Sequence, residues 1–164
     1  MQIDLKQLFD VNGETLSIDT SLDLSDYRLF GRQPIKSPVA VKGIVQNNVG
    51  VVTLKLDISL TLSVSCDRCL APLEIDRRLS FEHTLVKKLY NESYDDYIVI
   101  PDAMLDLDQT ARADIILELP SKFLCSDDCK GLCPICGKNL NLEPCGCDSK
   151  MTDPRLAALK DLLK

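Results

Sequence analysis

Strict alternation over residues 50–66 constrains this chain more than any other feature. Val52, Leu54, Leu56, Ile58, Leu60, Leu62 and Val64 are apolar, and Thr53, Lys55, Asp57, Ser59, Thr61, Ser63 and Ser65 beside them are polar. A β-strand sends successive side chains to opposite faces, so a strand gathers all seven apolar groups on one side. A helix would scatter them around its circumference. One face of this segment must therefore be buried and the other wet. With 164 residues, 45% of them hydrophobic and 27% charged, the chain has the length and composition to build a core against that face.

The flanking sequence extends the sheet. Val39, Val41 and Val45 also alternate, and residues 47–50 (Asn-Asn-Val-Gly) read as a turn, which predicts a hairpin of 38–46 with 50–66. Leu73, Ile75, Leu79, Phe81 and Leu85 alternate with Arg77 and His83 in the same register, a third long strand returning from a turn at 66–72. Tyr97 to Ile100 reads as a short strand ended by Pro101. Over 106–119 the period changes. Leu107, Ala111, Ile115 and Leu119 recur every fourth residue, Asp106 or Asp108 can cap the start, and Pro120 follows the end, so this stretch is predicted to be a helix. Asp153-Pro154 opens a last amphipathic helix carrying Leu156, Leu159, Leu162 and Leu163.

Residues 125–150 hold six cysteines separated by glycines and prolines, too little apolar material for a core of their own. The eight cysteines are Cys66, Cys69, Cys125, Cys129, Cys133, Cys136, Cys145 and Cys147. A C-x2-C turn presents two sulfurs to one ion, and eight thiolates divide into two sites of four with none left over. All eight are therefore candidate metal ligands, and the expected cofactor is Zn²⁺, two structural ions. Four thiolates fill a tetrahedral zinc and leave no place for water or substrate, which is a structural site. Iron–sulfur ligation also uses four cysteines, and spacing alone does not separate the two. A set of disulfides belongs to exported chains, and the N-terminal stretch carries Asp4, Lys6 and Asp10 where a signal peptide would be apolar. Two divisions of the ligands remain open. The favoured one joins Cys133, Cys136, Cys145 and Cys147, and gives Cys66 and Cys69 to Cys125 and Cys129, because short-range closure costs less loop entropy. The rival joins Cys125, Cys129, Cys133 and Cys136, and sends Cys145 and Cys147 to the 66–69 turn.

The expected fold is α+β: a mainly antiparallel β-sheet of long hairpins with one or two helices, a C-terminal zinc-ribbon-like segment and a short terminal helix. The expected division is a β-rich domain at 1–124, a cysteine-rich metal-binding segment at 125–150 and an amphipathic helix at 151–164. The balance of 19 basic and 25 acidic residues, net −6, argues against coating nucleic acid by charge alone. Residues 65–124 carry 5 of the 6 excess negative charges. There is no Trp, and only four Phe and four Tyr, a poor supply for base stacking. Arg68, Lys130 and Lys138 lie beside cysteines and are read as donors that offset thiolate charge rather than as an RNA-binding rim. His83, the single histidine, is read as a satisfied, half-buried group. No phosphate loop, HExxH or nucleophile motif occurs, so an enzyme is not expected. No apolar run of the length needed to span a bilayer occurs either, and a membrane partner is not expected.

Several separate motifs resemble one family. The turn CDRCLAP at 66–72, the segment LPSKFLCSDDCKGLCPICGKNLNLEPCGCD, the following DPRLAALKDL, the N-terminal IDLKQL and the Pro38 to Gly43 region are together similar to the YceD family in its cysteine-rich form. The resemblance implies a cytoplasmic, non-catalytic ribosome biogenesis factor that promotes accumulation or processing of 23S ribosomal RNA. It implies as partner a large-subunit ribosomal RNA precursor or ribosomal proteins, and it carries no catalytic residues to transfer. The alternative from the residues themselves is a zinc-stapled protein–protein adaptor unrelated to RNA.

Overall fold

The structure, a computed structural model, describes residues 1–29, 31–36, 38–88 and 97–147. The helix expected at 151–164 and residues 148–150 of the cysteine-rich segment lie outside the described residues. The chain divides into two compact units, Met1–Val64 with Leu73–Ser121, and Ser65–Pro72 with the chain from Lys122 onward. The second unit thus takes the 66–72 turn as well as the later cysteines.

In chain order the elements are β1 (Gln2–Asp4), α1 (Lys6–Asp10), β2 (Thr15–Leu22), β3 (Val39–Asn48), β4 (Val51–Ser65), β5 (Pro72–Val86), β6 (Tyr97–Val99), β7 (Met104–Asp106) and α2 (Leu107–Glu118). Strands β2 to β6 form one sheet in sequential order, and β1 pairs with β7 in a second, two-stranded sheet. The alternating run is β4, a strand of 15 residues. Leu54, Leu56, Ile58 and Leu62 are each at most 1% exposed, and burial of each is worth roughly 1.5–3 kcal/mol. The hairpin sets apolar against apolar across the ladder, with Val41 opposite Ile58 and Val45 opposite Leu54. The wet face carries polar pairs instead: Ser80 donates to Asp57, Thr61 donates to Asp76, and Lys55 meets Glu82.

The hairpin turn is tighter than the sequence suggested. Asn47 and Asn48 remain in β3, paired with Val52 and Val51. Val49 and Gly50 alone make the turn, at φ 53° and 83°. Positive φ at both central residues matches the twist of the flanking strands. Side chains hold Val49 in this costly conformation. Asn12 Oδ1 accepts from the Val49 N–H, and buried Asn47 accepts from Gly50 while donating to the Leu8 carbonyl.

Helix α2 matches the fourfold spacing. Asp106 caps it by accepting from the Gln109 N–H, and Leu107, Ala111 and Ile115 face inward. Asp114 is buried on the same face, and its carboxylate meets His83 Nε2 at 2.8 Å. His83 is thus half-buried with its polar group partnered. Strand β6 joins β5 in parallel, with Ile98 opposite Leu85.

Gly43 sits in β3 opposite Leu56, where the two strands approach closely. A Cβ at this position would stand 2.5 Å from the Lys55 carbonyl oxygen and 2.8 Å from Leu56 Cδ2. Backbone cannot yield as a side-chain tip can. Gly43→Ala is therefore expected to destabilise the first unit by about 1–3 kcal/mol. Urea unfolding followed by far-UV circular dichroism should show a lower midpoint at unchanged slope. A midpoint equal to wild type would mean that the strands separate freely there.

Candidate metal centres

The eight sulfurs gather into two groups of four. Cys66, Cys69, Cys125 and Cys129 form one and Cys133, Cys136, Cys145 and Cys147 the other, with all sulfurs in each group within 4.8 Å of one another. This is the favoured of the two divisions weighed from the sequence.

Each group is built on the same turn. In the first, the Cys66 N–H donates to the Ala71 carbonyl at 2.8 Å and the Leu70 N–H donates back to the Cys66 carbonyl at 2.9 Å. In the second, the Cys133 N–H donates to the Lys138 carbonyl at 2.8 Å and the Gly137 N–H donates to the Cys133 carbonyl at 2.9 Å. The residue after the second cysteine is left-handed in both, Leu70 at φ 59° and Gly137 at φ 72°. Glycine adopts that conformation freely and leucine does not, so the 66–71 turn carries strain that the 133–138 turn avoids. Closing the loop in this way leaves N–H groups pointing back at the first sulfur.

Those N–H groups set the thiol chemistry. Burial alone would push Cys66 up, but the N–H groups of Cys69, Arg68 and Cys125 outweigh it and bring the thiol down to about 6. At Cys133 the N–H groups of Cys136 and Ile135 do the same, again to about 6. Two other sulfurs feel their neighbours most. Cys125 is pushed up to about 12, chiefly by Cys129, and Cys147 to about 12, chiefly by Cys136. Four thiolates cannot crowd together without a cation between them, and these tetrads have the charge pattern that a metal ion completes.

The spacing fits as well. Four sulfurs at about 2.3 Å from a common tetrahedral centre lie about 3.8 Å apart. Cys66 and Cys129 sulfurs are 3.8 Å apart, and those of Cys69 and Cys125 are 3.6 Å apart. A disulfide would need about 2.05 Å. Both tetrads are therefore placed to hold metal ions.

Neighbouring residues bring distant parts of the first tetrad together. Phe123 is buried, its N–H donates to Asp67 Oδ2 at 2.6 Å, and its carbonyl accepts from the Asp67 N–H at 2.8 Å. This two-way clamp sets Cys125 against the turn, where its own N–H donates to Cys66 Sγ at 3.4 Å. Asn141 Nδ2 donates to Cys129 Sγ at 3.3 Å. Neither Asp67 nor Asn141 was singled out by the sequence. The signal for Asp67 was its place inside the C-x2-C turn, and nothing local marked Asn141.

The basic residues behave differently from expectation. Arg68 Nη1 donates to the carbonyls of Cys129 and Asp127, at 2.9 and 3.4 Å, rather than to sulfur. Lys138 pairs with Glu143 at 2.6 Å. Lys130 donates its backbone N–H to Asn141 Oδ1. Backbone N–H groups and one amide thus reach the sulfurs, because they are already fixed by the turns and long cationic side chains are not.

The geometry of two cysteine knuckles is now joined by sequence relationship. Residues 54–163 match the family described as Large ribosomal RNA subunit accumulation protein YceD. The chain belongs to the YceD family. The match begins within β4 and takes in all eight cysteines. YlbN of Bacillus subtilis (strain 168) is 26% identical over the whole of this chain and 97% of its own length. Mb2951c of Mycobacterium bovis and ML1660 of Mycobacterium leprae are 33% and 31% identical over 60% of the chain. The chain spans about half the length of those mycobacterial proteins. No solved structure matches it. Among the described residues, no helix of this YceD protein is long and apolar enough to cross a membrane.

Proposed function

We propose that this protein is a non-catalytic, cytoplasmic ribosome biogenesis factor that promotes the accumulation or processing of 23S ribosomal RNA for the large subunit. The observation that carries the reading is the family match, which runs from within β4 through β5, β6, β7, helix α2 and both cysteine tetrads. In this reading each tetrad holds one structural zinc ion. Cys66, Cys69, Cys125 and Cys129 ligate the first, and Cys133, Cys136, Cys145 and Cys147 the second. Zinc supplies the positive charge that lets four thiolates share one site, and the protein does the rest. N–H groups of the two turns steady the first thiolate of each set, and Asn141 steadies Cys129. The partner is the large-subunit ribosomal RNA precursor or a ribosomal protein bound to it.

Depleting the gene product in its own host should lower 23S relative to 16S ribosomal RNA or leave 23S ends unprocessed. Northern analysis and primer extension read both. Unchanged ratios, ends and subunit profiles in a strain lacking any second copy of the gene would remove the reading and favour an adaptor with purely protein partners.

A further inference from the structure

The first unit contains a cavity of about 840 Å³ that the metal centres do not use. Residues 97–100 line it in unbroken succession, and so do residues 104–106. Side chains of a strand alternate between faces, so successive residues line one cavity only where the edge of the strand opens into it. The groove therefore runs between two strand edges. β7 gives its other edge to β1, where Leu105 faces Ile3. β6 gives its other edge to β5, to which the Ile100 N–H donates at Val86 O, 2.8 Å. Backbone groups alternate in direction along a strand. Ile98 and Ile100 thus turn toward β5, and the N–H and C=O of Val99 turn outward.

Two further properties narrow the occupant. Val99 and Met104 line the groove with 40% and 38% of their surface exposed, which suits apolar side chains from an added strand. The lining carries three acidic side chains, Glu82, Asp106 and Asp114, and the histidine that pairs with Asp114, His83, with no lysine or arginine among them. Each carboxylate commits one oxygen internally: Glu82 Oε2 to Lys55, Asp106 Oδ1 to the Gln109 N–H and Asp114 Oδ2 to His83. An ionised carboxylate offers about four lone-pair sites on its two oxygens, so one such bond does not exhaust its capacity to accept. This lining repels phosphate and attracts ammonium and guanidinium groups.

We propose that this groove binds an extended, lysine- or arginine-bearing polypeptide segment, which adds to the sheet along the outer edge of β6 with its basic side chains directed to Glu82, Asp106 and Asp114. Strand addition supplies affinity through the main chain, and the acidic lining supplies selectivity. The proposal rests on the ribosomal reading for the source of that segment only, a basic protein of the assembling subunit.

The test uses the full chain and a fluorescein-labelled ten-residue peptide of alternating Lys and Val, read by fluorescence anisotropy. The same peptide with Glu for Lys and a labelled ten-nucleotide oligouridine are the comparisons. Val99→Pro removes an outward N–H without touching the β5 pairing, and proline is tolerated at such edge positions. Glu82→Lys reverses one lining charge at an exposed site and keeps the proposal testable if the proline variant misfolds. The Lys peptide should bind, the Glu peptide should not, and each folded variant should bind the Lys peptide roughly tenfold more weakly. Equal binding of both peptides, affinity unmoved by both variants, or oligouridine that displaces the Lys peptide would overturn the proposal. A folded protein that ignores the Lys peptide overturns it too and leaves the 23S measurement standing. An unchanged 23S level with peptide binding intact overturns only the ribosomal reading.

Discussion

Replacing Cys133 and Cys136 together by serine should halve the metal content, from two zinc equivalents to one, and unfold the second turn while the sheet survives. A structural zinc contributes an apparent ~10–16 kcal/mol in small zinc peptides. A whole domain is stable by about 5–15 kcal/mol, so no local contact compensates for losing the ion. Apolar burial around this site is slight. Cys133 is buried, whereas Cys136 is exposed and Cys145 and Cys147 are half-buried. The Cys133 and Gly137 amides, hydrogen-bonded across the turn in the native protein, should exchange with solvent without protection. The amides of β3 and β4 should stay protected, because their core of Val39, Val41, Val45, Leu54, Leu56 and Ile58 owes nothing to metal. Elemental analysis and amide exchange by mass spectrometry read both outcomes. Iron in place of zinc would overturn the choice of metal. Two equivalents retained in the variant would show that these cysteines are not ligands.

Replacing Cys66 and Cys69 by serine should produce the complementary pattern. One equivalent is lost, and the Asp67 and Phe123 amides lose the reciprocal bonds that the folded turn holds in place. The Cys133 and Gly137 amides should keep wild-type protection, because the four sulfurs of the second tetrad all come from residues 133–147. The rival division of the cysteines predicts the opposite. There Cys145 and Cys147 would lose their ion with the 66–69 turn, and exchange would spread across 139–147. Fast exchange in that stretch would show that the ligands are paired otherwise than the sulfur positions indicate.

The long hairpin and α2 were legible because their signals are local and repeated. Seven alternating apolar residues in β4 admit only one element, and Leu107, Ala111 and Ile115 spaced by four admit only a helix face. Among the short elements, β6 was legible as the strand ended by Pro101, whereas β1 and β7 were not. β1 and β7 are three residues each and pair Gln2 with Asp106, so neither has enough residues to show a period. β2 did alternate, with Leu16, Ile18 and Leu22, but Thr20 interrupts its apolar face. The parallel direction of β6 has no sequence signal at all, because strand direction depends on the path of the connection and not on side-chain period.

For the candidate site, the sequence by itself determined which residues hold sulfur, that two C-x2-C turns exist and that eight donors suit two ions. Spacing along the chain could only rank the two divisions, since loop entropy rises slowly with length and separates them by little. Tertiary structure decided the grouping. The Phe123–Asp67 clamp carries Cys125 to Cys66 across more than fifty residues, and Asn141 reaches Cys129 from a loop with no motif. It also decided that Arg68 binds carbonyls and not sulfur, because the backbone N–H groups of a closed turn already occupy the approach to the first thiolate. Composition and period fix what a segment can become. Only the folded chain fixes which distant groups meet.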